Sequence, residues 1–214
     1  MKKIAVLISG SGSNLEAIAD ACSKNKINGE IACVISNNSS AYGIKRAKNY
    51  NLKTIVVDHN LFSTRSAFDN EIEKILISEK IELIVLAGFM RVLNKEIVNK
   101  FSGKMINLHP SLLPLYPGLN THDKVIKNND CEHGISIHYV SPELDAGPII
   151  AQGRIKVRKN EDIKDLEKRI HQIEHRLLPE IINEICIGNI YLDKKTVKFK
   201  NNNITNYIKN FYDE

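Results

Sequence analysis

The chain has 214 residues, of which 43% are hydrophobic and 26% charged, and a formal charge of +5. That length holds one large domain or a domain with a small appendage, and the composition excludes wholesale disorder. Scattered lysines without a basic block argue against a nucleic-acid partner, and the mild positive charge suits a phosphorylated or polyglutamate-bearing small molecule.

The amino-terminal Met1-Lys2-Lys3 leads into a short apolar run that predicts a buried strand over Ile4–Ile8. The run is too brief for the apolar core of a signal peptide, and no segment approaches bilayer length. Apolar residues at 15, 18, 19 and 22 predict a helix over Asn14–Lys24. Strands follow at Ile31–Ile35, Lys53–Val57, Leu83–Ala87 and Met105–Leu108, alternating with helices at Ala41–Asn49, Ser63–Glu79 and around Asn94–Lys100. Continuous apolar strands alternating with helices indicate an open, Rossmann-like, mostly parallel sheet with helices on both faces.

After Gly118 the pattern changes. A helix is expected over His122–Asn128, then strands over Gly134–Val140 and Ile149–Val157 joined by an acidic loop, giving an antiparallel extension in the carboxyl-terminal half. The spacing predicts a long amphipathic helix over Ile163–Ile187, interrupted or kinked near Pro179, whose missing amide hydrogen weakens a helix interior. The expected division is a domain over residues 1–188 and a polar Asn/Lys-rich tail over 189–214 with a short hairpin. Cys22, Cys33, Cys131 and Cys186 form no C-x-x-C pair, so neither a zinc site nor a disulfide framework is expected, and a cytoplasmic setting fits.

Three segments carry chemistry. Ser9-Gly10-Ser11-Gly12-Ser13-Asn14 joins the first strand to the first helix. Its glycines allow a tight turn, and the helix amino end supplies N–H groups and partial positive charge for a phosphate. Leu15 stands where a dinucleotide fingerprint needs a third glycine, and Ser36-Asn37-Asn38 supplies no acidic residue after the second strand. The loop is therefore suited to a monophosphate, although any strand-to-helix turn also uses glycine and a cap.

The second segment is Met105–Gly118, MINLHPSLLPLYPG. Asn107 and His109 are two positions apart in a strand and so share a face at its carboxyl end, where open α/β sheets place ligands. An amide beside an imidazole can polarise a carbonyl and move a proton; a capped strand end with an exposed histidine fits the same residues. The third segment is Ser141–Pro148, where Asp145 is either a turn former or a carboxylate that orients His109. Leu86–Leu93 either lines a flat heteroaromatic pocket or packs in the core. His138 reads as a hydrogen-bonded sheet residue, and His133, His171 and His175 as structural or exposed.

Together the motifs ISGSGSNL (8–15), LAGFMRVL (86–93), INLHPSLLPLYPGLNTH (106–122), HGISIHYVSPELDAGPII (133–150) and RIHQIEHRLLP (169–179) closely resemble the phosphoribosylglycinamide formyltransferases among the folate-dependent formyltransferases. The resemblance runs from Lys3 to about residue 179. It implies formyl transfer from 10-formyltetrahydrofolate, a co-substrate, to the amine of 5′-phosphoribosylglycinamide in purine synthesis, without a metal. It implies Asn107, His109 and Asp145 as the catalytic trio. Gly12, Ser13 and Asn14 would hold the substrate phosphate and Glu174 the ribosyl group. Arg65, Met90, Arg91, Val92, Leu93 and the loop Ser141, Pro142, Glu143, Leu144, Asp145 would face the folate. His171 departs from the pattern, which often has Gln there in bacterial relatives. The alternatives are a formyltetrahydrofolate hydrolase, a formyltransferase acting on another amine, and a non-catalytic ligand sensor. Whether copies of the chain associate is left open by the sequence.

Overall fold

The computed structural model of the chain describes residues 1–200 and 207–212. Strand β1 (Lys2–Ile8) is flanked on both sides by parallel neighbours, β2 (Gly29–Ser36) and β4 (Leu83–Leu86). From Ile4 to Ile8 it is fully buried, and successive side chains divide between two cores. Ile4, Val6 and Ile8 pack with α1 (Ser13–Ser23) and α6 (Ile163–Cys186), whereas Ala5 and Leu7 pack with α3 (Arg65–Ser78) and α4 (Lys95–Lys100). The period-two alternation of a strand thus feeds a helical layer on each face, which is why the strand is apolar throughout instead of alternating with polar residues.

The other strands and α-helices before α6 are α2 (Tyr42–Asn49), β3 (Thr54–Val56), β5 (Met105–His109), α5 (Thr121–Lys127), β6 (Glu132–Tyr139) and β7 (Ile149–Lys156). Strands β3, β2, β1, β4 and β5 run parallel, and β6 and β7 continue the sheet antiparallel. The chain winds outward from β1 to β3 in one direction and restarts at β4 on the other side of β1. That reversal makes a topological switch point at the carboxyl ends of β1 and β4, the usual ligand position in such sheets.

Helix α6 runs unbroken through Pro179, contrary to the interruption the sequence suggests. A proline inside a helix costs about 3 kcal/mol. Against this, Leu166, Ile170, Ile173, Leu177, Leu178, Ile181, Ile182 and Ile185 are all buried on one face, each worth about 1.5–3 kcal/mol. Packing therefore outweighs the lost backbone bond. Among the described residues no helix is long and apolar enough to cross a membrane.

Beyond α6, β8 (Ile190–Asp193) and β9 (Thr196–Phe199) form the expected hairpin. A further strand, β10 (Tyr207–Asn210), was not foreseen: it pairs parallel to β7 at the sheet edge. Phe211 behind it is buried, with the Arg176 guanidinium 5.0 Å from its ring centre. Tyr-Ile-Lys-Asn has no periodicity that would announce a strand, and its pairing partner lies some fifty positions back in the chain. Of the region expected to be tail, residues 201–206 and 213–214 lie outside the described residues.

Candidate active site

Strand β5 ends at His109, and its side chains at 107 and 109 share a face as the two-residue spacing requires. The acidic loop between β6 and β7 delivers Asp145 to the same place. Gly147 makes this return possible, because a Cβ there would lie 1.7 Å from the Tyr139 carbonyl oxygen. Asp145 adopts a left-handed backbone (φ 50°), which aspartate tolerates better than most residues. Its Oδ2 accepts from the Gly118 amide at 2.8 Å and faces His109 Nδ1 at 3.4 Å. Its Oδ1 accepts from Asn107 Nδ2 at 3.3 Å. Asp145 therefore touches both the amide and the imidazole, although it is far from them in sequence.

His109 is buried, and its Nε2 lies 2.8 Å from the carbonyl oxygen of Tyr116. A carbonyl only accepts, so Nε2 carries the hydrogen, and Nδ1 is the nitrogen turned to the carboxylate. The proline-rich loop that follows thus holds the imidazole in one orientation.

The structure adds a residue that the sequence reading assigned to the sheet. In the antiparallel pairing of β5 with β6, His138 stands opposite Asn107. Its Nδ1 donates to the Tyr139 carbonyl at 2.9 Å, which leaves Nε2 to accept from Asn107 Nδ2 at 3.2 Å. Nε2 also lies 3.7 Å from Asp145 Oδ1. Recognising His138 required the strand register; its parity with Ser136 on a strand was the only sequence signal.

Burial alone would raise the Asp145 carboxyl. The Gly118 amide and the nearby rings of His109 and His138 outweigh it and hold the group below the ordinary carboxylate range. The carboxylate is thus kept ionised beside two imidazoles.

Two strands away is the glycine loop. Adjacent strands lie about 4.8 Å apart, so the ends of β1 and β5 are separated by roughly 10 Å. Gly12 (φ 70°) caps α1 without using a side chain. A Cβ at Gly12 would come within 2.5 Å of Gly43 Cα, so the turn depends on two glycines from separate elements. The first-turn amides of Ser13 and Asn14 have no partner within the helix. Asn14 Nδ2 donates to Glu174 Oε2 at 2.9 Å, and His171 Nδ1 meets the same oxygen at 2.9 Å. The His171–Glu174 bond raises the imidazole pKa of His171, against its burial. His171 is therefore joined to the predicted ribosyl-binding carboxylate, and His175 stacks on its ring at 6.1 Å. His122 and His133 are bonded to each other at 2.9 Å, and burial, followed by the charge of His122, pushes His133 down to about 3.

The predicted folate-facing residues sit on loops, except Arg65, which opens α3. Met90 is 68% exposed, Val92 47% and Leu144 55%, and the Arg65 guanidinium donates to the Val92 carbonyl. Met90 donates its amide to Ser9 Oγ at 2.8 Å, which ties this loop to the start of the glycine loop. Arg91 lies 4.9 Å from the Phe68 ring centre, and the Leu93 side chain is packed in the core with Phe68 and Ile97. Ser141 Oγ donates to the Glu143 carbonyl at 3.1 Å, stiffening the stretch that includes Pro142.

An amide, an imidazole and a carboxylate at one end of a switch-point crevice, with a glycine loop at the other, define an open α/β enzyme fold whose chemistry sits on the strand ends. The chain belongs to the formyl transferase family, whose profile matches residues 2–182. It is 42% identical over 187 residues to the phosphoribosylglycinamide formyltransferase of Escherichia coli, covering 87% of this chain and 88% of that one. The trifunctional purine biosynthetic protein of Gallus gallus is 38% identical over 88% of this chain but only 19% of its own length. The solved phosphoribosylglycinamide formyltransferase of Coxiella burnetii superposes with a TM-score of 0.92 at 40% identity, covering 97% of this chain and 99% of that one.

Proposed function

We propose that the chain transfers the formyl group of 10-formyltetrahydrofolate to the amine of 5′-phosphoribosylglycinamide, a step of purine biosynthesis. The observation that carries this reading is the convergence of Asn107, His109 and Asp145 at one strand end, in a family of formyl transferases. The neutral amine attacks the formyl carbon, forming the new C–N bond while negative charge grows on the formyl oxygen. Asn107 donates to that oxygen. In this structure its two amide hydrogens point to His138 and Asp145, so the substrate oxygen takes over one of them. Removing such a donor typically costs about 3 kcal/mol of barrier stabilisation.

His109 assists at the oxygen as donor or relay, with Asp145 fixing its orientation and organising a water that carries the amine proton away. The bond to the folate nitrogen then breaks, and the proton is returned to that nitrogen as tetrahydrofolate leaves. Gly12, Ser13 and Asn14 hold the phosphate through backbone amides, and Glu174 binds the ribosyl group. Arg65, Met90, Arg91, Val92 and residues 141–145 face the folate, and Leu93, whose side chain is buried in the core, does so through its backbone. The exposed apolar side chains among them, Met90, Val92 and Leu144, are suited to a flat ring. Four free cysteines accord with a reducing, cytoplasmic setting.

The test is an assay of purified protein with 10-formyltetrahydrofolate, with and without the ribonucleotide, with His109→Ala as control. Tetrahydrofolate release that requires the ribonucleotide supports the proposal. Release without it assigns a hydrolase instead, and no release in either case removes the catalytic reading.

A further inference from the structure

The glycine loop has a support that no motif announced. Arg46, on the last turn of α2, donates through Nε to the Ser11 carbonyl at 3.0 Å. Its Nη1 pairs with Glu16 on the first turn of α1. The guanidinium also lies over the ring of Tyr42, 5.1 Å from its centre. At the start of α2, the Gly43 amide donates to the Gly10 carbonyl at 3.0 Å. The back of the loop is therefore held at Gly10 and Ser11 by one helix, while its front faces the crevice.

Glu16 gives the arrangement an electrostatic purpose. It lies one turn into the helix whose amino end would receive an anion, and its amide bonds back to the Gly12 carbonyl at 3.0 Å. Glu16, Ser13 and His175 line one cavity of about 720 Å³. An uncompensated carboxylate there would repel a phosphate dianion and cancel part of the positive potential of the helix end. Arg46 supplies the compensating charge in a planar fork that also reaches the loop backbone, which a lysine cannot reproduce.

We propose that Arg46 is a positioning residue for the phosphate loop, holding the Ser11–Gly12 backbone in place and neutralising Glu16 beside the incoming dianion. The inference rests on the reading that Gly12, Ser13 and Asn14 take the substrate phosphate. It predicts a loss confined to the phosphorylated substrate. In Arg46→Met the KM for the ribonucleotide should rise about tenfold, with kcat and the folate KM changed less than about twofold. Adding Glu16→Gln to Arg46→Met should recover at least about threefold of that loss, because the repulsion is removed together with its compensation. Arg46→Lys, which keeps the charge and loses the fork, should fall between the two and also serves if the methionine variant does not fold.

Inorganic phosphate separates this inference from the site reading beneath it. In the unaltered chain phosphate should inhibit competitively against the ribonucleotide, and in Arg46→Met or Arg46→Lys its inhibition constant should rise with KM. Failure of phosphate to compete in the unaltered chain would remove the phosphate-loop reading and this proposal with it. Competition that is equally strong in the Arg46 variants, an equal loss in kcat and folate KM, or no recovery from Glu16→Gln would overturn the role of Arg46 alone.

Discussion

The two ends of the crevice are built on different principles. At the glycine loop the groups offered to a ligand belong to the backbone, and side chains serve chiefly to set its conformation. At the end of β5 the working groups are side chains, and the backbone serves them: the Gly118 amide holds Asp145, and the carbonyls of Tyr116 and Tyr139 hold His109 and His138. On the proposed reading the first end would recognise a charge that does not change during the reaction, for which fixed N–H dipoles suffice. The second must follow charge and protons as they move, which needs groups that titrate or reorient. Substitutions should therefore matter through shape at one end and through chemical identity at the other.

The largest effect should come from the side-chain end. His109→Ala is expected to lower kcat by roughly 10²–10⁴, the range for a lost general acid–base group, with the ribonucleotide KM little changed in steady-state kinetics. Turnover near that of the unaltered protein, in a variant with unchanged circular dichroism, would take His109 out of the mechanism. Asp145→Asn should keep fold and substrate binding while lowering kcat about 100-fold, since an amide cannot replace an ionised carboxylate that faces two imidazoles. A kcat unchanged across the pH range would reject that role.

At the backbone end the contrast lies between two neighbours. Gly12→Ala forces a Cβ to within 2.5 Å of Gly43 Cα in a left-handed conformation, and should cost about 1–3 kcal/mol of stability. The ribonucleotide KM should rise with it. Ser13→Ala leaves the backbone amide in place and should change that KM less than about threefold. A larger effect from Ser13→Ala than from Gly12→Ala would show that a side chain dominates here, and the comparison between the ends would fail.

The pH dependence of stability gives a graded effect. Burial lowers the His133 ring from its ordinary value to about 3, so between roughly pH 6.5 and that value the unfolded chain binds a proton that the folded chain refuses. Stability should then fall as pH drops, by about 1.4 kcal/mol per pH unit for this one group. The Asp145 carboxylate is held below its ordinary range; its contribution is present above the unfolded value near 4 and is lost as pH falls through the folded one. Urea unfolding at pH 7.5, 5.5 and 4.5 should show a shallower decline for His133→Gln. Identical declines in the two proteins would mean that His133 is not kept neutral by the fold.

Much of this architecture was legible from residue order. The strand-to-helix alternation, the glycine turn and the same-face placement of Asn107 and His109 follow from local periodicity and from glycine's conformational freedom, which act over a few neighbouring residues. The motifs in their order carried the family. What escaped was non-local. The interruption allowed for at Pro179 did not occur, because eight buried apolar side chains on α6 outweigh one missing amide bond and their burial depends on the sheet they pack against. Strand β10 escaped because its pairing with β7 is invisible in four unpatterned residues.

The same division applies to the site. Residue types and spacing alone determined that an amide and an imidazole project together from one strand end and that a glycine turn joins the first strand to the first helix. Only the tertiary structure decided that Asp145 reaches them, that His138 holds Asn107 from the neighbouring strand, that His171 joins Glu174, and that Arg46 braces the loop from behind. Each of these contacts closes across elements distant in sequence, and strand register and helix docking, which set such distances, are properties of the whole packed chain and not of any segment of it.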